Sequence, residues 1–189
     1  MRKLKLQVQM SVDGFVGGPG GELDWMTWDW DDKIKKYVSE LTDSIDTILL
    51  GRKMTEGFVS HWTNVTANPQ DPGYSFAKKM VDTPKVVFTK TLDKSNWVNT
   101  TLAKGNLAEE INKLKHRDGK DIIVYGGASF VSAVIKAGLI DEYHLFINPA
   151  VIGTGLRIFG EINNKLNLML TNSIQFDCGI VLLNYKPKL

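Results

Sequence analysis

Twice in this chain a short apolar run ends in glycine and passes at once into a helix-forming stretch. The first is Leu49-Leu50-Gly51-Arg52-Lys53-Met54-Thr55 and the second is Ile123-Val124-Tyr125-Gly126-Gly127-Ala128-Ser129-Phe130. Short apolar runs bounded by turn residues read as strands buried on both faces. Strands that feed directly into helices imply crossover connections, hence a largely parallel sheet with helices packed on it. No all-helical or all-strand architecture accommodates that pattern.

The rest of the sequence supplies matching elements. Lys3 to Met10 alternates polar with apolar residues (Leu4, Leu6, Val8, Met10), the period of a strand. Ser11 to Glu22 carries too many glycines for a regular element, and the glycines at 14, 17, 18, 20 and 21 predict a loop that is mobile until a ligand orders it. A helix is expected from Asp31, using Ile34, Tyr37, Val38, Leu41 and Ile45, followed by a strand over Asp46–Leu50. A short helix over Met54–Val59, a polar loop over Asn64–Gly73, a helix over Tyr74–Val81 and a strand at Val86–Phe88 come next. Asn106 with Glu109 has the spacing of a capping box, opening a helix through Leu107, Ile111 and Leu114. A helix over Ala128–Ala137, stopped by Gly138, and strands at Glu142–Ile147, Leu166–Phe176 and Ile180–Tyr185 complete the pattern. The last two strands have no helix between them and should pair antiparallel at one edge. The expectation is one α/β domain over residues 1–189.

Composition closes several routes. With 23 Lys plus Arg against 21 Asp plus Glu, there is no basic excess for a nucleic-acid footprint. No apolar run approaches a membrane span, the N-terminus lacks a signal-peptide core, and a cytoplasmic location is expected. The single cysteine, Cys178, precludes an internal disulfide and any multi-cysteine metal site. His61, His116 and His144 lack ligand spacing, so no metal is expected.

The two junctions carry the chemistry. A helix N-terminus presents free backbone N–H groups and the positive end of its dipole, and glycine lets an anion approach closely. Arg52 and Lys53 add charge and Thr55 a hydroxyl where the first helix opens. Either junction alone is as well explained by a tight turn. Together they leave room for two phosphates, as in a nucleotide.

Five segments in order then resemble the dihydrofolate reductase superfamily, and more narrowly the reductase domain of bifunctional riboflavin-biosynthesis deaminase-reductases. They are Met10-Ser11-Val12-Asp13-Gly14-Phe15-Val16, Leu50 to Thr55, Val86-Val87-Phe88-Thr89-Lys90, Val124 to Ala128, and Asp141-Glu142 through Pro149 to Phe159. The resemblance implies a three-layer α/β/α fold and NADPH as cofactor. It places Val16 and Gly17 beside the nicotinamide, and Gly51, Arg52, Lys53 and Thr55 at one end of the pyrophosphate. Thr89 and Lys90 would face the adenosine 2′-phosphate, and Gly126, Gly127, Ala128, Ser129 and Phe130 would cradle the rest. It implies hydride transfer to a small heterocyclic or sugar-derived molecule, like that of the uracil reductase step of riboflavin synthesis, and a homodimer. The apolar stretch Leu166–Leu183 is compatible with a pairing edge.

The chain departs from the bifunctional enzymes in two places. One cysteine excludes the zinc deaminase, whose signature needs Pro-Cys-x-x-Cys. After the Gly51 junction, Thr55 to Trp62 also lacks their Asp-x-Pro…Arg stretch and looks closer to dihydrofolate reductase. In that family an early-helix carboxylate assists protonation. Asp31 takes that place here as candidate catalytic residue, with Asp32 and Trp25 as candidate substrate contacts; N-capping explains the aspartates equally well. The alternatives to the riboflavin-type reaction are a dihydrofolate or pteridine reductase and a non-catalytic nucleotide- or folate-binding module.

Overall fold

In the computed structural model, which describes residues 1–188, the strands form one eight-stranded sheet. In chain order the elements are β1 (Leu4–Met10), α1 (Asp32–Asp43), β2 (Ile45–Gly51), α2 (Arg52–Thr66), α3 (Tyr74–Asp82), β3 (Lys85–Phe88), β4 (Thr100–Ala103), α4 (Leu107–Lys115), β5 (Asp121–Gly126), α5 (Ala128–Lys136), β6 (Glu142–Ile147), β7 (Leu168–Gln175) and β8 (Val181–Pro187). Across the sheet the order is β4-β3-β2-β5-β1-β6-β8-β7. The strands from β4 to β6 are parallel, and β8 and β7 add antiparallel pairs at one edge. This is the expected three-layer, mostly parallel architecture with an antiparallel C-terminal edge.

Side-chain alternation sorts the two faces. Leu4, Leu6, Val8 and Met10 of β1, with Ile122 and Val124 of β5, pack against Ile111 and Leu114 of α4 and Val131, Val134 and Ile135 of α5. On the other face, Ile48 and Leu50 of β2 and Ile123 of β5 meet Leu41, Phe58 and Met80 from α1, α2 and α3. Ile34 and Val38 of α1 cover Phe146, Phe176 and Leu182. Each fully buried side chain of this size contributes roughly 1.5–3 kcal/mol of transfer free energy.

Local signals set most boundaries. Asn106 accepts from the N–H groups of Ala108 and Glu109, capping α4 as expected. Gly138 takes φ +67°, the left-handed turn that ends α5. Several elements depart from expectation. Ile45 opens β2 instead of closing α1, whose C-cap is Ser44. Helix α2 runs to Thr66, through Gly57 and into the expected polar loop; Phe58 and Trp62 along it meet edge-on, and Trp62 meets Phe76 of α3 the same way. Strand β4 is unanticipated. Its Thr-Thr sequence has little apolar content and it lies at the sheet edge, held by backbone pairing to β3.

Candidate functional site

Parallel strands bring their C-terminal ends to one edge of the sheet. Met10 lies opposite Ile147, Leu50 opposite Gly126, and Gly51 opposite Phe88. The segments that follow β1, β2, β3, β5 and β6 therefore open side by side. A crevice at the C-terminal strand ends, where crossovers diverge to either side, is where open α/β sheets bind ligands.

The two glycine junctions touch at this edge. A Cβ placed on Gly51 would sit 2.8 Å from Phe130 Cβ and 3.3 Å from the Gly127 nitrogen, so any side chain there would push the two helix openings apart. One placed on Gly126 would overlap Met54 Sδ. The Gly126–Gly127 peptide is cis. Gly51 and Gly127 are the N-caps of α2 and α5, and neither opening has a side-chain cap; α1 and α4 are capped by Asp31 and Asn106. The first-turn N–H groups of α2 and α5 thus remain available to an anion. Beside them, Phe88 stacks on Phe130 with centroids 4.9 Å apart, which sets the end of β3 against the second opening.

At the opposite edge of the sheet most cations are paired, although Arg117 is exposed without a carboxylate partner among the described residues. There, Arg2 pairs with Asp46, Lys3 with Glu142, Lys5 with Asp121 and Lys115 with Asp141. Two shallow hollows of about 480 and 390 Å³ lie at that opposite edge, beside Lys79 and Lys85. Lys79 pairs with Asp43, and Lys85 donates to the carbonyls of Val81 and Thr83, closing the end of α3. Arg52, Lys53 and Lys90, by contrast, are exposed and pair with no carboxylate among the described residues.

Some expected contacts take other forms. Thr55 is fully buried, and its hydroxyl donates to the Gly51 carbonyl at 3.1 Å, so it braces the glycine turn and does not face a phosphate. Thr89 is also buried; its Oγ1 accepts from the N–H groups of Thr91 and Leu92, which turns the chain and leaves Lys90 outward. Ala128 and Phe130 are half-buried and Ser129 is exposed. Val16 and Gly17 form a two-bond bridge with Leu156 (2.9 and 2.8 Å). Asp13 accepts from Ser11 Oγ and from the N–H groups of Ile152 and Gly153. The Ser11 hydroxyl, with those N–H groups, holds its carboxyl below the usual range. The first half of this glycine-rich loop is thus tied to the segment around residues 152–156. Asp13 and Leu156, which fasten this loop, lie in two of the segments that carry the family resemblance, Met10–Val16 and Asp141–Phe159.

On the other side of β1, Asp31 caps α1. One oxygen accepts from Ile34 N–H at 3.0 Å and the other from Cys178 N–H at 3.2 Å. These backbone donors, Ile34 first, hold its carboxyl below the ordinary value, which disfavours a proton donor at neutral pH. Asp32 is exposed in the first turn. Trp25 is half-buried with its Nε1 donating to Glu22, and Trp28 stacks on Trp30 above the start of α1. Asp31→Ala is expected to lower the melting temperature while Asp31→Asn, itself a good cap, largely retains it. If the asparagine variant keeps the fold but loses turnover, capping is not the whole role of this residue; melting curves and steady-state rates on both variants decide.

Known proteins place this geometry. The family described as RibD C-terminal domain matches residues 2–182. YyaP of Bacillus subtilis, an uncharacterized protein, is 34% identical over 186 residues, covering 97% of this chain and 94% of its own. A proposed riboflavin biosynthesis protein of Shewanella sp. PV-4 superposes with a TM-score of 0.78 at 21% identity, over the full length of both chains. A Thermotoga maritima deaminase/5-amino-6-(5-phosphoribosylamino)uracil reductase gives 0.69 at 18% identity, covering 99% of this chain and 57% of that one. Dihydrofolate reductase from Enterococcus faecalis, solved with NADP(H), gives 0.63 at 16% identity over 99% and 97% of the two chains. The fold is thus dihydrofolate-reductase-like, and the chain belongs to the RibD C-terminal domain family of reductase-like domains.

Proposed function

We propose that this protein is an NADPH-dependent reductase acting on a small heterocyclic or sugar-derived substrate, akin to the uracil reductase step of riboflavin synthesis. The observation that carries the reading is the contact between two uncapped helix openings, Gly51–Arg52 and Gly127–Ala128, beside three free cations. First-turn N–H groups of α2 and α5 suit a pyrophosphate. Arg52 and Lys53 neutralise it, and Lys90 reaches the 2′-phosphate. Val16 and Gly17 border the nicotinamide, held at their distance by Leu156. NADPH, when bound, supplies a hydride from its nicotinamide ring.

The protein's own residues orient and enclose. The acceptor lies between the end of β1, the start of α1 and the tryptophan-rich segment around Trp25. With both Asp31 oxygens accepting from backbone, the proton reaches the substrate from another group or from water. Nicotinamide fluorescence titration tests cofactor binding. NADPH oxidation screened against dihydrofolate, dihydrobiopterin and the ribosylaminopyrimidinone phosphate of riboflavin synthesis then tests the substrate. Turnover of the last supports this reading; turnover of dihydrofolate alone replaces it with a folate reductase. Binding without turnover of any would favour a nucleotide-binding module.

The functional unit in this reading is one cytoplasmic domain over residues 1–189 that pairs as a homodimer; no helix among the described residues is long and apolar enough to cross a membrane. Pairing is assigned to β7, the sheet edge, where Met169 and Leu170 are each about half exposed on an open strand. Sedimentation should give a dimer at micromolar concentration and a monomer for Leu170→Lys. A monomeric wild type removes the assignment.

A further inference from the structure

Strand β1 lies at the centre of a sheet covered on both faces, where side chains are ordinarily apolar. One face of it is nevertheless Lys5, Gln7 and Gln9. Gln7 lies opposite His144 on β6, and His144 lies opposite Asn184 on β8. Tyr125 on β5 follows Val124, the partner of Leu6, and so extends the same row. Tyr125 Oη, Gln7 Oε1, His144 Nε2, Asn184 Oδ1 and Gln9 Nε2 are all buried without a hydrogen-bond partner among the described residues. Buried polar groups are almost always paired, and a cluster of exceptions on one sheet face calls for an explanation.

Gln9 differs from the others because its orientation is determined. Thr27 N–H can only donate, and it donates to Asn148 Oδ1 at 2.9 Å. Asn148 Nδ2 is then a donor, to the Phe146 carbonyl at 3.3 Å and to Gln9 Oε1 at 2.7 Å. Gln9 Oε1 is therefore the acceptor, and its Nε2 carries the unused donors. Gln9 is the penultimate residue of β1, at the edge where the two helix openings lie, on the face covered by α1. The irregular segment carrying Thr27 is joined to it through Asn148.

Resting on the reductase reading, we infer that Gln9 is a specificity-determining residue: its oriented Nε2–H donates to a ring carbonyl oxygen of the substrate, selecting an oxo over an amino substituent at that position. An oxo group supplies the partner this amide lacks. An amino group would set donor against donor, leaving both buried and unpaired. The substituent is thus read by a neutral amide fixed through Asn148 to the backbone of Thr27.

Matched probes test this without knowledge of the natural substrate. Pterin against 2,4-diaminopteridine, and 5,6-diaminouracil against tetraaminopyrimidine, each exchange oxo for amino groups on one ring. Calorimetric titration of wild-type protein at pH 8 should favour the oxo member of at least one pair by about tenfold, the effect of one hydrogen bond of ordinary strength. Gln9→Met should bring the ratio close to one, and Gln9→Glu, which accepts at that position, should invert it. If the glutamate variant does not fold, the methionine variant suffices. A wild type that binds no probe or shows no preference, or a methionine variant that keeps the preference, overturns the assignment. NADPH is titrated into the same proteins in parallel. Loss of the oxo preference in Gln9→Met with no NADPH binding to any protein would discard the reductase reading and keep the role of Gln9.

Discussion

Gly51→Ala is expected to weaken NADPH and NADH together, by roughly ten- to a hundredfold, and to destabilise the fold at the same time. The added methyl meets Phe130 Cβ at 2.8 Å, and Phe130 is itself held by stacking on Phe88. Relief therefore comes from parting α2 and α5. Overpacking of this kind costs about 1–3 kcal/mol, and a cradle that needs both helix openings loses about tenfold in affinity per 1.4 kcal/mol. Gly57→Ala is the control in the same helix. Its added methyl has nothing within 4 Å, so it should stabilise α2 by up to about 1 kcal/mol and leave both nucleotides untouched. Denaturant unfolding and nucleotide titrations on the pair check this. Wild-type affinity in Gly51→Ala would show that the two openings do not hold one ligand between them.

Lys90→Ala should act on one nucleotide only. The 2′-phosphate is the sole difference between NADPH and NADH, and Lys90 stands exposed just past β3 with no carboxylate partner among the described residues. A hydrogen bond to a charged group contributes roughly 1.5–3 kcal/mol. Exposure to salt reduces that figure, so a loss of about tenfold for NADPH is expected, shrinking further at high ionic strength, with NADH nearly unchanged. Arg52→Ala should weaken both, because the pyrophosphate is common to them. Equal losses for the two nucleotides in Lys90→Ala would remove it from the 2′-phosphate.

What the sequence discloses is what depends on near neighbours. The glycine junctions, the Asn106 cap and the Gly138 stop are legible because each is decided within a few residues. Strand β4 is not, because pairing with β3 holds it and its own threonines give no pattern. The inward turn of Thr55 follows from helix geometry: it stands four residues beyond Gly51, directly over that carbonyl, so a motif match alone mistakes a brace for a ligand. Asp31 shows the other limit. Its bond to Ile34 is local and foreseeable, whereas its second bond, to Cys178, spans 147 positions and is invisible without the fold. Alternation along β1 identifies a strand but not that both faces are buried, which is why Gln9 carried no signal.

The position of β1 also dictates an order of events. Its neighbours in the sheet are β5 and β6, which begin at Asp121 and Glu142, and the loop after it is fastened by Asp13 to Gly153, 140 residues further on. In synthesis β1 precedes both of its partners, so one of its hydrogen-bonding edges stays open until β5 has emerged and the other until β6 has. Pairing of such distant segments must meet the entropy of closing a very long loop before any contact rewards it. Strand β1 is thus made well before it can be seated, so nascent chains truncated before β6 should depend most heavily on chaperones.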